Sequence, residues 1–246
     1  MKAAVPLILS ATLVLGGCAV SGNMREVNLD KAAQVNAELA LRYFNEGEMQ
    51  LAKSKAEKAV DQSDKNALAN SVNGLIQQRL GDKDKAERYL RRAVELAPDQ
   101  PEYANSYGVF LCETGRMRDG VKQFVAVAEN PLHRAPALAY ENAATCAIKD
   151  RNYELAEEFL LLSLKEKSDY HKARFGLAEL QFRDGRFAEA LDNIQTLEKA
   201  GQMSAAVAAV GVRSARALKR PVVAEHYQYI LQSRFPESYQ ARALGN

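Results

Sequence analysis

The pattern of apolar and small residues repeats itself along residues 33–246. Aligning the stretches GEMQLAKSKAEKAV, GDKDKAERYLRRAVELAP, GRMRDGVKQFVAVAENP, DRNYELAEEFLLLSL, GRFAEALDNIQTLE and RPVVAEHYQYIL brings one small residue into register in every copy: Ala52, Ala86, Gly120, Ala156, Ala190 and Ala224. The spacings are 34, 34, 36, 34 and 34 residues. Seven residues later stand Ala59, Ala93, Val127, Ser163, Leu197 and Leu231, two turns further along one helix face. Five residues before the register position a glycine marks a reversal at Gly47, Gly81, Gly115 and Gly185. Arg151 and Lys219 hold that place in copies four and six, which makes those copies weaker matches. Proline closes the second helix at Pro98 and Pro236, with Pro131 one place early. Each unit therefore reads as helix, turn, helix.

A 34-residue period of helix pairs is that of the tetratricopeptide repeat. One pair cannot bury its apolar face alone, so the units stack into a right-handed superhelix with a concave inner groove. The prediction is an all-α superhelix of six helix-pair repeats over residues 33–246. Gly74 and Gly108, with Ala40, Ala144 and Ala178 at the same place elsewhere, are expected where neighbouring first helices touch. The signature tryptophan is absent; Asn70, Ala104, Tyr140 and Arg174 occupy its place.

In such repeats five places of each first helix point into the groove. Ala37, Leu41, Phe44, Leu68 and Leu75 fill them in the first two repeats and form the candidate partner-binding set. Repeat five adds Phe175 and Phe182, and repeat six adds Arg213 and Arg216. Glu38 and Val72 stand where the asparagines of a carboxylate clamp would be needed. An apolar groove suits an amphipathic or extended peptide instead.

The N-terminal residues follow a different pattern. After Lys2, residues 3–17 carry no charge, and the chain turns polar from Ser21 onward. This run is too short to span a bilayer, which takes about 20 residues. A basic start, an apolar middle and a small-residue exit describe an export signal over residues 1–17. Leu15-Gly16-Gly17-Cys18 resembles the lipobox of bacterial lipoproteins. That resemblance implies a diacylglyceryl group on the Cys18 sulfur, cleavage before it and acylation of the new amino group. Ala19 after the cysteine implies the outer membrane, inner leaflet, facing the periplasm. Residues 18–32 are expected to be a lipidated tether.

Composition bounds the remaining possibilities. A chain that is 47% hydrophobic and 26% charged has a globular balance. Its formal charge of +2 falls to +1 once Lys2 leaves with the signal, which provides no footprint for nucleic acid. The three histidines, His133, His171 and His226, lie at no metal-ligand spacing, and neither a nucleophile elbow nor a phosphate loop is present. The expectation is a binding protein without catalysis, cofactor, metal or small-molecule substrate. Cys112 and Cys146 fall on first helices of adjacent repeats, close enough for a disulfide in an oxidising compartment, or else are small buried thiols.

The phrases NSYGVFLCETGRMRDGVKQF and ENPLHRAPALAYENAATCAIKDRNYELAEEFLLLSL resemble the lipoproteins of type IV pilus biogenesis, the PilF/PilW family of secretin pilotins. The lipobox, the six-repeat length and the paired Cys112 and Cys146 match as well. This resemblance implies an outer-membrane lipoprotein that binds the pilus secretin and promotes its localisation and multimerisation. The alternative is a repeat scaffold of another envelope machine, such as β-barrel insertion or cell-wall synthesis. Mass spectrometry of the mature protein is expected to find diacylglyceryl-cysteine at its start, and Cys18→Ser is expected to leave the chain unlipidated; an unmodified mature N-terminus would refute the lipobox reading.

Overall fold

The computed structural model describes residues 21–131 and 133–244, with side chains from Asn28 onward. Six helix pairs follow one another: α1 (Ser21–Asn45) with α2 (Met49–Gln62), α3 (Ala67–Leu80) with α4 (Lys83–Leu96), and α5 (Pro101–Glu113) with α6 (Met117–Glu129). They continue as α7 (Pro136–Lys149) with α8 (Tyr153–Glu166), α9 (His171–Arg183) with α10 (Phe187–Lys199), and α11 (Ala205–Ala217) with α12 (Pro221–Arg234). No strand occurs among the described residues. A short α13 (Tyr239–Leu244) begins 34 residues after α11 and so opens a seventh unit, which the pattern of six repeats does not announce. It packs on α11 and α12, where Gln228 donates a hydrogen bond to the Leu244 carbonyl at 3.0 Å.

Small residues set the approach of the two helices in each pair. Ala52, Ala86, Ala156 and Ala190 are completely buried, and so are Ala59, Ala93 and Ser163 two turns on. Ser163, the one hydroxyl in that series, donates to the Ala137 carbonyl at 2.7 Å, which removes the penalty of burying it. Gly74 and Gly108 lie against their own second helices rather than against neighbouring first helices. A Cβ on Gly74 would stand 2.7 Å from Leu90 Cγ, and one on Gly108 would stand 2.9 Å from the Phe124 ring. Bulky residues on α4 and α6 fill the space the glycines leave.

Every pair reverses through the same turn. Gly47, Gly81, Gly115 and Gly185 have φ between 77° and 89°, and the residue after each donates its N–H to the carbonyl five residues back, as Asp82 does to Gln77 at 3.0 Å. Arg151 and Lys219 adopt the same left-handed geometry, with φ of 58° and 55°, and Asn152 and Arg220 complete the same bond. The apparent exceptions are therefore full members of the series, held in register by the packing around them at a local cost of about 1 to 2 kcal/mol. Pro98, Pro131 and Pro236 each stand two residues beyond the end of a second helix.

Part of the expected tether, residues 18–32, falls within the described chain. Residues 21–32 are helical and continuous with the first repeat, since no proline or glycine after Gly22 interrupts them. Asp30 already accepts hydrogen bonds from Ser63 and Asn66 at 3.0 and 3.2 Å. The signal segment and Cys18 lie outside the described residues.

Replacing Arg151 or Lys219 with glycine is expected to relieve the left-handed strain and stabilise the chain by about 1 kcal/mol, raising the thermal midpoint by roughly 2 to 4 °C. Gly115→Ala should shift it the opposite way, and scanning calorimetry distinguishes the two.

Candidate peptide-binding groove

Phe44 and Leu75 meet on the inner side of repeats one to three. Phe44 comes from the last turn of α1 and Leu75 from the middle of α3, and with Val109 of α5 they line a groove of about 480 Å³. Leu75 and Val109 are 34 residues apart, so successive repeats place them as neighbouring rungs. The rim is polar. The Arg79 guanidinium lies 5.6 Å from the centre of the Phe44 ring, and Gln78 Nε2 donates to Glu113 Oε2 at 2.6 Å. An apolar floor beside one exposed cation and one exposed carboxylate can receive the side chains of a partner segment and hydrogen-bond its flanks.

The other three predicted residues take different positions. Ala37 is fully buried among Ala59 and Ala69 and presents nothing to a partner, which corrects its assignment to the groove. In the first repeat its place on α1 faces the junction of α2 and α3. Leu41 and Leu68 are half-buried against the core of the first two repeats, outside the groove lining. Val109, 37% exposed, and Arg79 were missed by the sequence reading. Carrying the same inward places through α3 and into the third repeat would have found both.

Cys112 and Cys146 are joined in a disulfide, with Cα atoms 5.7 Å apart. It ties α5, which supplies Val109, to α7 of the next repeat. The bridge also explains the one glycine in the register series. A methyl group at Gly120 would collide with Cys112 Sγ and stand 2.9 Å from the Gly108 carbonyl oxygen. Among the described residues no group of three or more His, Cys, Asp or Glu could hold a metal, and no helix is long and apolar enough to cross a membrane.

Comparison with known proteins agrees with this architecture. A tetratricopeptide repeat model matches residues 74–100. The type IV pilus assembly protein PilF of Pseudomonas aeruginosa is 21% identical over 244 residues, covering 98% of this chain and 96% of PilF. The solved structure of PilW, described as a widely conserved type IV pilus biogenesis factor, is 27% identical with a TM-score of 0.74, covering 87% of this chain and 98% of that one. The chain is a tetratricopeptide-repeat protein homologous to PilF and similar in structure to PilW. The solved structure of Pseudomonas aeruginosa PilF shares the fold, with a TM-score of 0.72 at 20% identity over 89% of this chain and 98% of that one. The alignment with PilF spans 98% of this chain and so takes in its repeat body.

Gly120→Ala is expected to destabilise the chain by about 1 to 3 kcal/mol through overpacking. The cost should fall by at least half when Cys112 and Cys146 are both replaced by alanine, although that pair of changes itself removes about 3 to 4 kcal/mol for a closed loop of this length. Urea unfolding of the four variants measures the coupling, and equal costs in both backgrounds would show that the sulfur is not what excludes the methyl.

Proposed function

We propose that this chain is a pilotin of type IV pilus biogenesis: a lipoprotein of the outer membrane, facing the periplasm, that binds a segment of the pilus secretin and promotes its multimerisation. The observation that carries the reading is the match to PilF along 98% of the chain, together with an apolar groove in the repeats nearest Cys18. Secretin side chains would bury against Phe44, Leu75 and Val109 while Arg79 and Glu113 hold the flanks. Acyl chains on Cys18 would keep the groove at the bilayer, which raises the effective concentration of bound secretin there without any new contact. More than one acyl chain makes such attachment stable. The work is done by binding, with no chemical step.

A strain carrying Phe44→Ser and Leu75→Ser is expected to lose secretin multimers and surface pili and to accumulate secretin monomers, while the lipoprotein stays abundant and anchored. Each side chain should cost on the order of 2 kcal/mol of binding if it is a hot spot. Normal multimers in that strain would move the secretin site elsewhere, and co-purification with barrel-insertion or wall-synthesis proteins in place of secretin would favour the scaffold alternative.

A further inference from the structure

The ninth place of each first helix changes character along the superhelix. It is apolar in the first three repeats, at Leu41, Leu75 and Val109, becomes Thr145 in the fourth, and is Glu179 and then Arg213 in the last two. The groove near the N-terminus and the inner surface of repeats five and six are therefore built for different chemistry.

In the last two repeats the floor is aromatic. Phe175 and Phe182, two turns apart on α9, are half-buried against the core of α10 to α12. The Phe187 ring meets Phe182 at 5.3 Å, and the Arg213 guanidinium lies over Phe182, 4.8 Å from its centre. A cation over a ring face leaves the guanidinium's donors unused. The hydrogen bond Arg213 makes runs from Nε to the Ala209 carbonyl in its own helix, at 3.3 Å, and no carboxylate pairs with it among the described residues. Glu179 feels Arg213 only at a distance: burial pushes its carboxyl above the usual range, and the Arg213 charge pulls it down. Arg216 is bonded to a neutral amide, that of Gln228. Lys172 borders a depression of about 240 Å³ beside Phe175 and Met203. Arg183, by contrast, is engaged by Asp184 at 2.6 Å.

We propose that the inner surface of repeats five and six is a second docking site, which takes an acidic peptide segment of a partner protein with apolar side chains beside its carboxylates. The charge balance selects that partner, because among the described residues no carboxylate forms an ion pair with Lys172, Arg213 or Arg216, and Glu179, which feels the Arg213 charge, is the carboxylate beside them. A guanidinium held over a ring still presents a fork of donors that a carboxylate can accept bidentately. Phe175 and Phe182 supply the apolar contact that distinguishes such a segment from a simple anion. The site is separate from the groove of Phe44 and Leu75 and does not depend on what that groove binds.

The test is fluorescence polarisation with the full chain in detergent and a labelled twelve-residue peptide of four Asp-Leu-Gly units. Binding is expected to weaken as salt is raised, and the Lys-Leu-Gly counterpart should not bind. Arg213→Gln with Arg216→Gln should lower affinity tenfold or more, and Lys172→Gln, on a different helix, should lower it severalfold. Phe44→Ser with Leu75→Ser should leave it within twofold. Circular dichroism confirms that each variant is folded. Equal binding of the lysine peptide, unchanged affinity in the Arg213 and Arg216 variant, loss of binding in the Phe44 and Leu75 variant, or no binding of the acidic peptide would each overturn the proposal.

Discussion

At six points along the chain a second helix crosses its partner over a side chain no larger than a methyl group. Any larger residue at Ala52, Ala86, Ala156 or Ala190 would push the helices apart, since these positions have no exposed surface through which a bigger group could escape. The close crossing fixes the turn between the helices, the turn fixes where the first helix stops, and the stop fixes which side chains face the inner surface. A short-range steric requirement repeated at constant spacing thus generates the long-range shape.

That chain of dependence explains what could be read from the sequence. The crossing residues and their partners two turns on need a particular size, so they recur visibly and reveal the repeats. The reversal is less visible. Glycine is the easiest residue for a left-handed turn, yet Arg151 and Lys219 occupy it because the flanking helices over-determine the geometry. The inward places put Phe44 and Leu75 on the groove lining, whereas Ala37 is buried, as are Ser71 and Ala209 at the same place of repeats two and six, because a small side chain there is covered by the helices beside it. The helical start at Ser21 and the short helix α13 escape the alignment because neither has a second-helix crossing residue of its own to recur, although α13 starts one period after α11.

The junction between repeats three and four stands apart from the others. Here the register spacing lengthens to 36 residues, the register residue shrinks to Gly120, and the disulfide crosses from α5 to α7. The three features belong together: the bridge occupies the volume an alanine methyl would fill, and it fastens the longest connection between successive pairs. Elsewhere, surface ion pairs such as Lys53 with Glu57 are exposed and contribute little. Cohesion rests on packing, with the covalent link reserved for the irregular step.

The early start of α1 has a geometric consequence. From Ser21 to Phe44 the helix rises by about 35 Å at 1.5 Å per residue, and a lipid-bearing Cys18 would stand three residues before this rod begins. On the proposed anchoring, the body would pivot about the near end of the rod. Upright, it would carry Phe44 about 35 Å from the anchor; tilted, it would sweep Phe44 toward the membrane along an arc of fixed radius. The rod would thus act as a gauge of depth, defining the shell of the periplasm in which a partner segment must present itself to be caught.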